Sequence, residues 1–188
     1  MAISTADFRN GMTLDLADGL FQLAEFQHVK PGKGGAFVRT TLKNVRTGAT
    51  LERTFRAGER MERAVIDNRD MQYLYADGDS LVFMDTDSYE QLPVSRTAAG
   101  SATNFLVEGE MATVVRHGDE VLGVELPASV VLEVADTDPG VQGDRVSGAR
   151  KPATMSTGLV VQVPLFIEPG ERLKVDTRSG DYIERARG

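Results

Sequence analysis

Apolar and polar residues alternate with a period of two along most of this chain, in short runs punctuated by Gly, Asp and Pro. On an extended backbone that period sends successive side chains to opposite faces, so the pattern predicts half-buried strands rather than amphipathic helices. In the first third, runs over 12–16 and 20–28 flank Asp18-Gly19, and runs over 36–42 and 49–55 flank Thr47-Gly48. Both dipeptides mark tight turns between strands. They predict a meander of about four strands in residues 1–64, suited to a small SH3-like barrel. Further on, runs over 72–75 and 80–84 flank Asp77-Gly78, and runs over 110–116 and 120–126 flank Gly118-Asp119. Between these hairpins, 95–107 has weak helical character and contains Gly100. This second block, 65–127, has the size and strand content of an OB-fold. A third block, 128–188, holds runs over 130–134, 159–167, 172–175 and 182–185. The expected fold class is all-β. No long linker separates the blocks, which predicts a fixed relative arrangement.

The connection between the second and third runs has unusual chemistry. It reads Lys30-Pro31-Gly32-Lys33-Gly34-Gly35. Proline fixes φ at the loop entrance and glycine tolerates angles closed to other residues, so the predicted product is a slim hairpin whose tip offers little but the Lys33 side chain. A solvated Gly-rich turn with an incidental lysine has the same sequence. Charge distribution adds to the picture. From Phe26 to Leu51 there is no Asp or Glu, whereas Lys30, Lys33, Arg39, Lys43 and Arg46 all lie there. Residues 1–64 carry 10 Lys and Arg against 7 Asp and Glu, a net of +3; residues 65–188 carry 11 against 21, a net of −10. A basic first block on an acidic body suggests one face built for phosphate, with the remainder repelling it. Alternation would place Arg39 and Lys43 on one face of their strand, where they can also be ordinary exposed residues.

Catalytic patterns do not emerge. The chain has no Cys and two histidines, His28 and His117, so disulfides and zinc sites of the common Cys/His kinds are excluded. Asp85-Thr86-Asp87 and Asp136-Thr137-Asp138 look like openings of calcium loops but lack the glycine at position six and the glutamate at twelve; they are expected to cap turns instead. Lys33 is followed by Gly rather than Ser or Thr, so the loop is no P-loop. No cofactor and no enzyme activity are expected. The N-terminus lacks the apolar stretch of a signal peptide, and no run approaches the roughly 18 apolar residues of a membrane span, so a cytoplasmic protein without membrane partners is expected.

The third block carries a more specific signal. Lys151-Pro152-Ala153, Gly158, Val161, Val163-Pro164, Ile167 and Gly170 match the signature spacing of bacterial elongation factor P. Asp136-Thr137-Asp138-Pro139-Gly140, Val175 to Gly180, and Tyr73-Leu74-Tyr75 with 68–78 around it also resemble stretches of that family, as do Asp7-Phe8-Arg9, 29–34 and Phe37 in the first block. The resemblance covers essentially the whole chain. It implies three β-barrels, one KOW/SH3-like and two OB-like, in an elongated L similar in outline to tRNA. It also implies a monomer that enters the 70S ribosome beside the peptidyl-tRNA and relieves stalling at consecutive prolines.

By the same resemblance, Lys33 is the loop tip that approaches the peptidyl transferase centre along the tRNA acceptor arm. Pro31, Gly32, Gly34 and Gly35 support it, and Lys30, Arg39, Lys43 and Arg46 would meet tRNA or ribosomal RNA. In many members the tip is enzymatically modified, which implies a Lys33-modifying enzyme as a further partner. Gly35 departs from the polar residue of members that receive a lysine-type modification, and this leaves the chemical state of Lys33 open. Gly143, Asp144 and Arg145 correspond to a loop near the small subunit and the mRNA at the exit-site codon, although Arg145 stands where other members often carry Thr or Asn. The elongation factor P-like paralogue usually carries Arg at the tip, so Lys33 speaks against it. A β-barrel RNA-binding module without a role in peptide bond formation is the other function class that the sequence leaves open.

Overall fold

Turn chemistry and period-two patterning produce the sheets that they predict. The computed structural model describes residues 1–140 and 148–187. The first sheet contains β1 (Ala2–Ser4), β2 (Thr13–Leu16), β3 (Gly19–Val29), β4 (Phe37–Asn44), β5 (Thr50–Arg56) and β6 (Arg60–Ala64), in the order β1-β6-β2-β3-β4-β5. The second contains β7 (Asp67–Asp77), β8 (Ser80–Asp85), β9 (Gln91–Ser95), β10 (Met111–His117) and β11 (Glu120–Glu125), in the order β11-β10-β7-β8-β9. The third contains β12 (Ser129–Thr137), β13 (Arg150–Met155), β14 (Val160–Pro164), β15 (Arg172–Asp176) and β16 (Tyr182–Arg185), in the order β14-β13-β12-β15-β16. Helix is confined to short pieces. Ser95 caps a four-residue helix at Arg96–Ala99 by accepting a hydrogen bond from the Ala98 amide at 3.1 Å. A 3-10 turn at Gly100–Asn104 follows, where the weak helical signal lies.

Six strands rather than about four make up the first sheet, because β1 and β6 escape the sequence pattern. β6 reads Arg-Met-Glu-Arg-Ala, which has little β-propensity; it forms because β1 and β2 flank it and supply both sets of backbone partners. Two further strands contain proline. β9 holds Pro93 and lies at a sheet edge, where one N–H fewer is tolerated. β13 holds Pro152, one residue beyond its last pair with β12, Ala153 opposite Thr137.

Each sheet bends at a bulge in one long strand. The register slips by one residue at Ala24 in β3, at Leu74 in β7 and at Ala135 in β12. A bulge adds local twist and lets a short sheet curl around its own core. In the first sheet that core is built from Leu14, Leu23, Val38 and Leu42, all at 0% exposure, closed at one side by Phe8, which meets Phe26 and Phe55 edge-on at 5.9 Å. In the third sheet Leu132, Val134, Ala153, Val163 and Leu173 are buried, together with Phe105 from the segment that follows the short helix.

The chain folds as two compact units. One is Met1–Asn68 with Val115–Leu122; the other is Arg69–Val114 with Gly123–Gly188. No helix among the described residues is long and apolar enough to cross a membrane.

The signature residues of the third block hold its strands and turns in place. Lys151 is 7% exposed, and its ammonium donates to the Asp138 carbonyl. The Thr137 hydroxyl donates to the Pro152 carbonyl at 2.9 Å. A Cβ on Gly140 would stand 2.6 Å from the Leu165 carbonyl oxygen, so the chain can pass there only as glycine. Asp85 caps a turn as expected, accepting from the Asp87 and Ser88 amides at 2.8 and 3.1 Å. Asp176 does the same for Arg178 and Ser179 at 2.7 and 3.0 Å. The amide of Ser88, then that of Asp87, holds the Asp85 carboxyl below its ordinary range, and those of Ser179 and Arg178 do so for Asp176.

Candidate functional site

The lysine loop is the connection between β3 and β4. Its root is fixed: Val29 pairs with Phe37, and the Ala57 amide donates to the Ala36 carbonyl at 3.0 Å. From Lys30 to Gly35 every residue is exposed. The three glycines have different roles. Gly34 has φ +112°, which an L side chain rarely adopts, and a Cβ there would touch the Pro31 ring at 3.9 Å. Gly32 and Gly35 face open space with no positive φ, so they contribute slimness rather than a required angle. The Lys33 ammonium makes no hydrogen bond or ion pair among the described residues.

Behind the loop, β4 sorts its side chains by parity. Val38, Thr40 and Leu42 point inward and are buried; Arg39 and Lys43 lie on the outer face and are exposed. Thr40 is buried as a polar group, and its hydroxyl donates to the Arg53 carbonyl at 2.7 Å. Neighbouring strands define the rows across the outer face. Arg39 sits between Gln27 and Thr54, and Lys43 between Gln22 and Thr50. Between them, Thr41 is flanked by Glu25 and Glu52. The stretch without acids along the sequence thus acquires two carboxylates across the sheet. Nearest the loop, Phe37 pairs with Val29 and Arg56, which adds to this face a cation that sequence reasoning misses. A signal for it exists: Arg56 shares the parity of Thr54 and Glu52 in β5.

Arg46 is placed differently. It lies in the turn after β4, at the other end of that eight-residue strand from Lys33. At about 3.3 Å per residue the two are separated by about 25 Å. Its guanidinium is ion-paired with Glu120. The structure therefore brings Lys30, Lys33, Arg56, Arg39 and Lys43 along one strand face and its loop, and leaves Arg46 outside. Gly143, Asp144 and Arg145 lie outside the described residues.

Internal contacts occupy the acids of the first block more than its cations. Of its seven acids, Asp7 accepts from the Ser4 amide and hydroxyl at 2.8 and 3.1 Å, and Glu59 accepts from the Arg56 amide at 2.9 Å. Asp18 pairs with Arg53 and Glu62 with the N-terminal ammonium. The Arg53 side chain holds the Asp18 carboxyl below its ordinary range. Of the ten Lys and Arg, only Arg46 and Arg53 are engaged in ion pairs or side-chain hydrogen bonds among the described residues.

Comparison with known proteins gives matches along nearly the whole chain. Residues 4–61 match the elongation factor P KOW-like domain, 66–124 the elongation factor P OB domain, and 130–185 the elongation factor P C-terminal domain. Elongation factor P of Streptomyces avermitilis is 58% identical over 183 residues, and that of Clavibacter michiganensis 56% identical over 182, each alignment covering 97% of both chains. Among solved structures, eukaryotic translation initiation factor 5A from Methanococcus jannaschii superposes with a TM-score of 0.52 at 21% identity, covering 68% of this chain and 92% of that one. An eIF-5A family protein from Naegleria fowleri gives 0.54 at 16%, covering 67% and 98%. At those identities the structures establish the shared fold alone. The full-length matches establish more: this chain belongs to the elongation factor P family of translation elongation factors.

Proposed function

We propose that this elongation factor binds the ribosome beside the peptidyl-tRNA and speeds peptide bond formation at consecutive prolines by positioning the tRNA acceptor end. The observation that carries this reading is Lys33: an unpaired cation on a glycine-flanked tip, projecting from a paired two-strand root. Proline fixes φ and carries a bulky secondary amine, so a nascent Pro-Pro end presents its reacting groups poorly. The remedy is orientation, which alone changes rates by large factors. Ribosomal RNA performs the chemistry, so the factor has only to place a cation among RNA phosphates and 2′-hydroxyls. Lys30, Arg39, Lys43 and Arg56 provide backbone contacts that are independent of sequence. Gly143, Asp144 and Arg145 would serve contact with the small subunit near the exit-site codon. The exposed Lys33 amine is also the group that a modifying enzyme would address.

Rapid kinetics on a Pro-Pro-Pro message test this. Lys33→Ala should leave folding within about 0.5 kcal/mol of wild type, as is usual for exposed substitutions, and should retain ribosome binding. It should lose most of the rate enhancement at saturating factor, which is how loss of a transition-state contact appears. Lys33→Arg separates a simple cation, which it would preserve, from a compact or modified amine, which it would not. Wild-type rates for Lys33→Ala at every concentration would refute the mechanism.

A further inference from the structure

Arg46 has every sequence attribute of an RNA contact, yet the structure gives it another use. The turn that carries it is locked: Asn44 Oδ1 accepts from the Arg46 and Thr47 amides at 2.9 and 3.0 Å, and the Gly48 amide donates to the Asn44 carbonyl at 2.8 Å. Gly48 supplies the φ of +74° that closes the turn. A fixed turn aims its side chain, and here the guanidinium meets the Glu120 carboxylate at the start of β11. Glu120 follows the Gly118-Asp119 turn, and that turn belongs to Val115–Leu122, the segment that forms one compact unit with Met1–Asn68. Val115 is 9% exposed, and the Arg116 Nε is buried without a hydrogen-bond partner while another nitrogen of the same group donates to the Gly118 carbonyl at 3.3 Å. With Arg116, Asp119 and Glu120 it carries a net charge of −1 opposite the Arg46 turn.

We infer that Arg46 is a positioning residue: it acts through Glu120 to hold the Val115–Leu122 segment in place beside the Arg46 turn, within one compact unit, and it does not contact RNA. The paired carboxylate offsets the guanidinium's charge and so weakens its attraction for a phosphate. The distance of about 25 Å along β4 also removes Arg46 from any contact shared with the Lys33 loop. An exposed ion pair contributes little by itself. Its value here lies in fixing the exposed end of a segment whose Val115 is already buried.

Charge reversal and exchange of the pair decide between the two roles. Hydrogen exchange of amides 117–121 in the free protein should speed up about threefold in Arg46→Glu and in Glu120→Arg, the size expected of a lost surface pair. It should return to the wild-type rate in the double variant that exchanges the charges, and stay near it in Arg46→Lys. On the reading of the function given above, the exchanged variant should also regain the Pro-Pro rate that each single variant loses. If the exchanged variant restores hairpin protection but remains as slow as Arg46→Glu, Arg46 meets RNA directly and the inference fails. It fails equally if neither single variant alters exchange. The exchange measurement needs no ribosome, so it remains decisive even if the factor proves to act elsewhere.

Discussion

Gly34 and Gly35 are adjacent, identical in type and unequal in consequence. Gly34 alone occupies a positive φ, and an alanine there would be strained by about 1–3 kcal/mol while it tilts the tip. Gly35→Ala meets open space at an ordinary φ and should be nearly neutral. We therefore expect Gly34→Ala to reduce the Pro-Pro rate severalfold with a lowered Tm, and Gly35→Ala to match wild type in both, as measured by rapid kinetics and thermal unfolding. Sequence alone assigns these glycines one supporting role because φ is not written in residue identity; only the turn geometry separates them. Lys151 teaches a similar lesson. As a lysine in a signature motif it invites a functional reading, but its buried ammonium serves the Asp138 carbonyl.

At the scale of elements, the turn dipeptides are the clearest source of information. Asp18-Gly19, Thr47-Gly48, Asp77-Gly78 and Gly118-Asp119 each connect the strands expected of them, and β16 covers 182–185 as the pattern predicts. The missed strands share a physical cause: they form through their neighbours. Pro93 and Pro152 disguise β9 and β13, and charge disguises β6. The cationic face of β4 is only half legible. Parity along one strand is written in the sequence, but the row that sets Glu25 and Glu52 beside Thr41 depends on register. Those carboxylates moderate the face, so Arg39 and Lys43 should matter jointly. Changing both to Glu leaves the inward residues untouched and should preserve the fold by circular dichroism. Ribosome affinity should fall by at least about tenfold, with a shallower dependence on salt. Unchanged affinity in the folded double variant would remove this face from the contact surface.

For the molecule as a whole, charge is partitioned more sharply than the sequence sum shows. The first block engages four of its seven acids internally and leaves eight of ten cations unengaged among the described residues, while residues 65–188 carry a net of −10. Such a molecule should be repelled by RNA of arbitrary structure and accepted only where a shaped site meets its basic block. Filter binding across a salt series should show tight binding to assembled ribosomes and weak binding to naked RNA of comparable length. Tight, structure-independent binding to free RNA would instead mark a general RNA-binding module.

The bulge at Ala24 turns these scales into a question of leverage. Deleting Ala24 leaves every pair in place, because Leu23 still opposes Leu42 and Glu25 still opposes Thr41; only the added bend is lost. Lys33 lies nine positions after Ala24. With a lever of about 20 Å along β3 and its loop, a change of bend of about 10° swings the tip by about 3.5 Å. Misplacement by about 1 Å can cost a reaction about a hundredfold. A variant lacking Ala24 should therefore fold, keep an intact Lys33 and bind ribosomes, yet fail on Pro-Pro messages. In this protein, the accuracy of a chemical contact would be set by a curvature far from it.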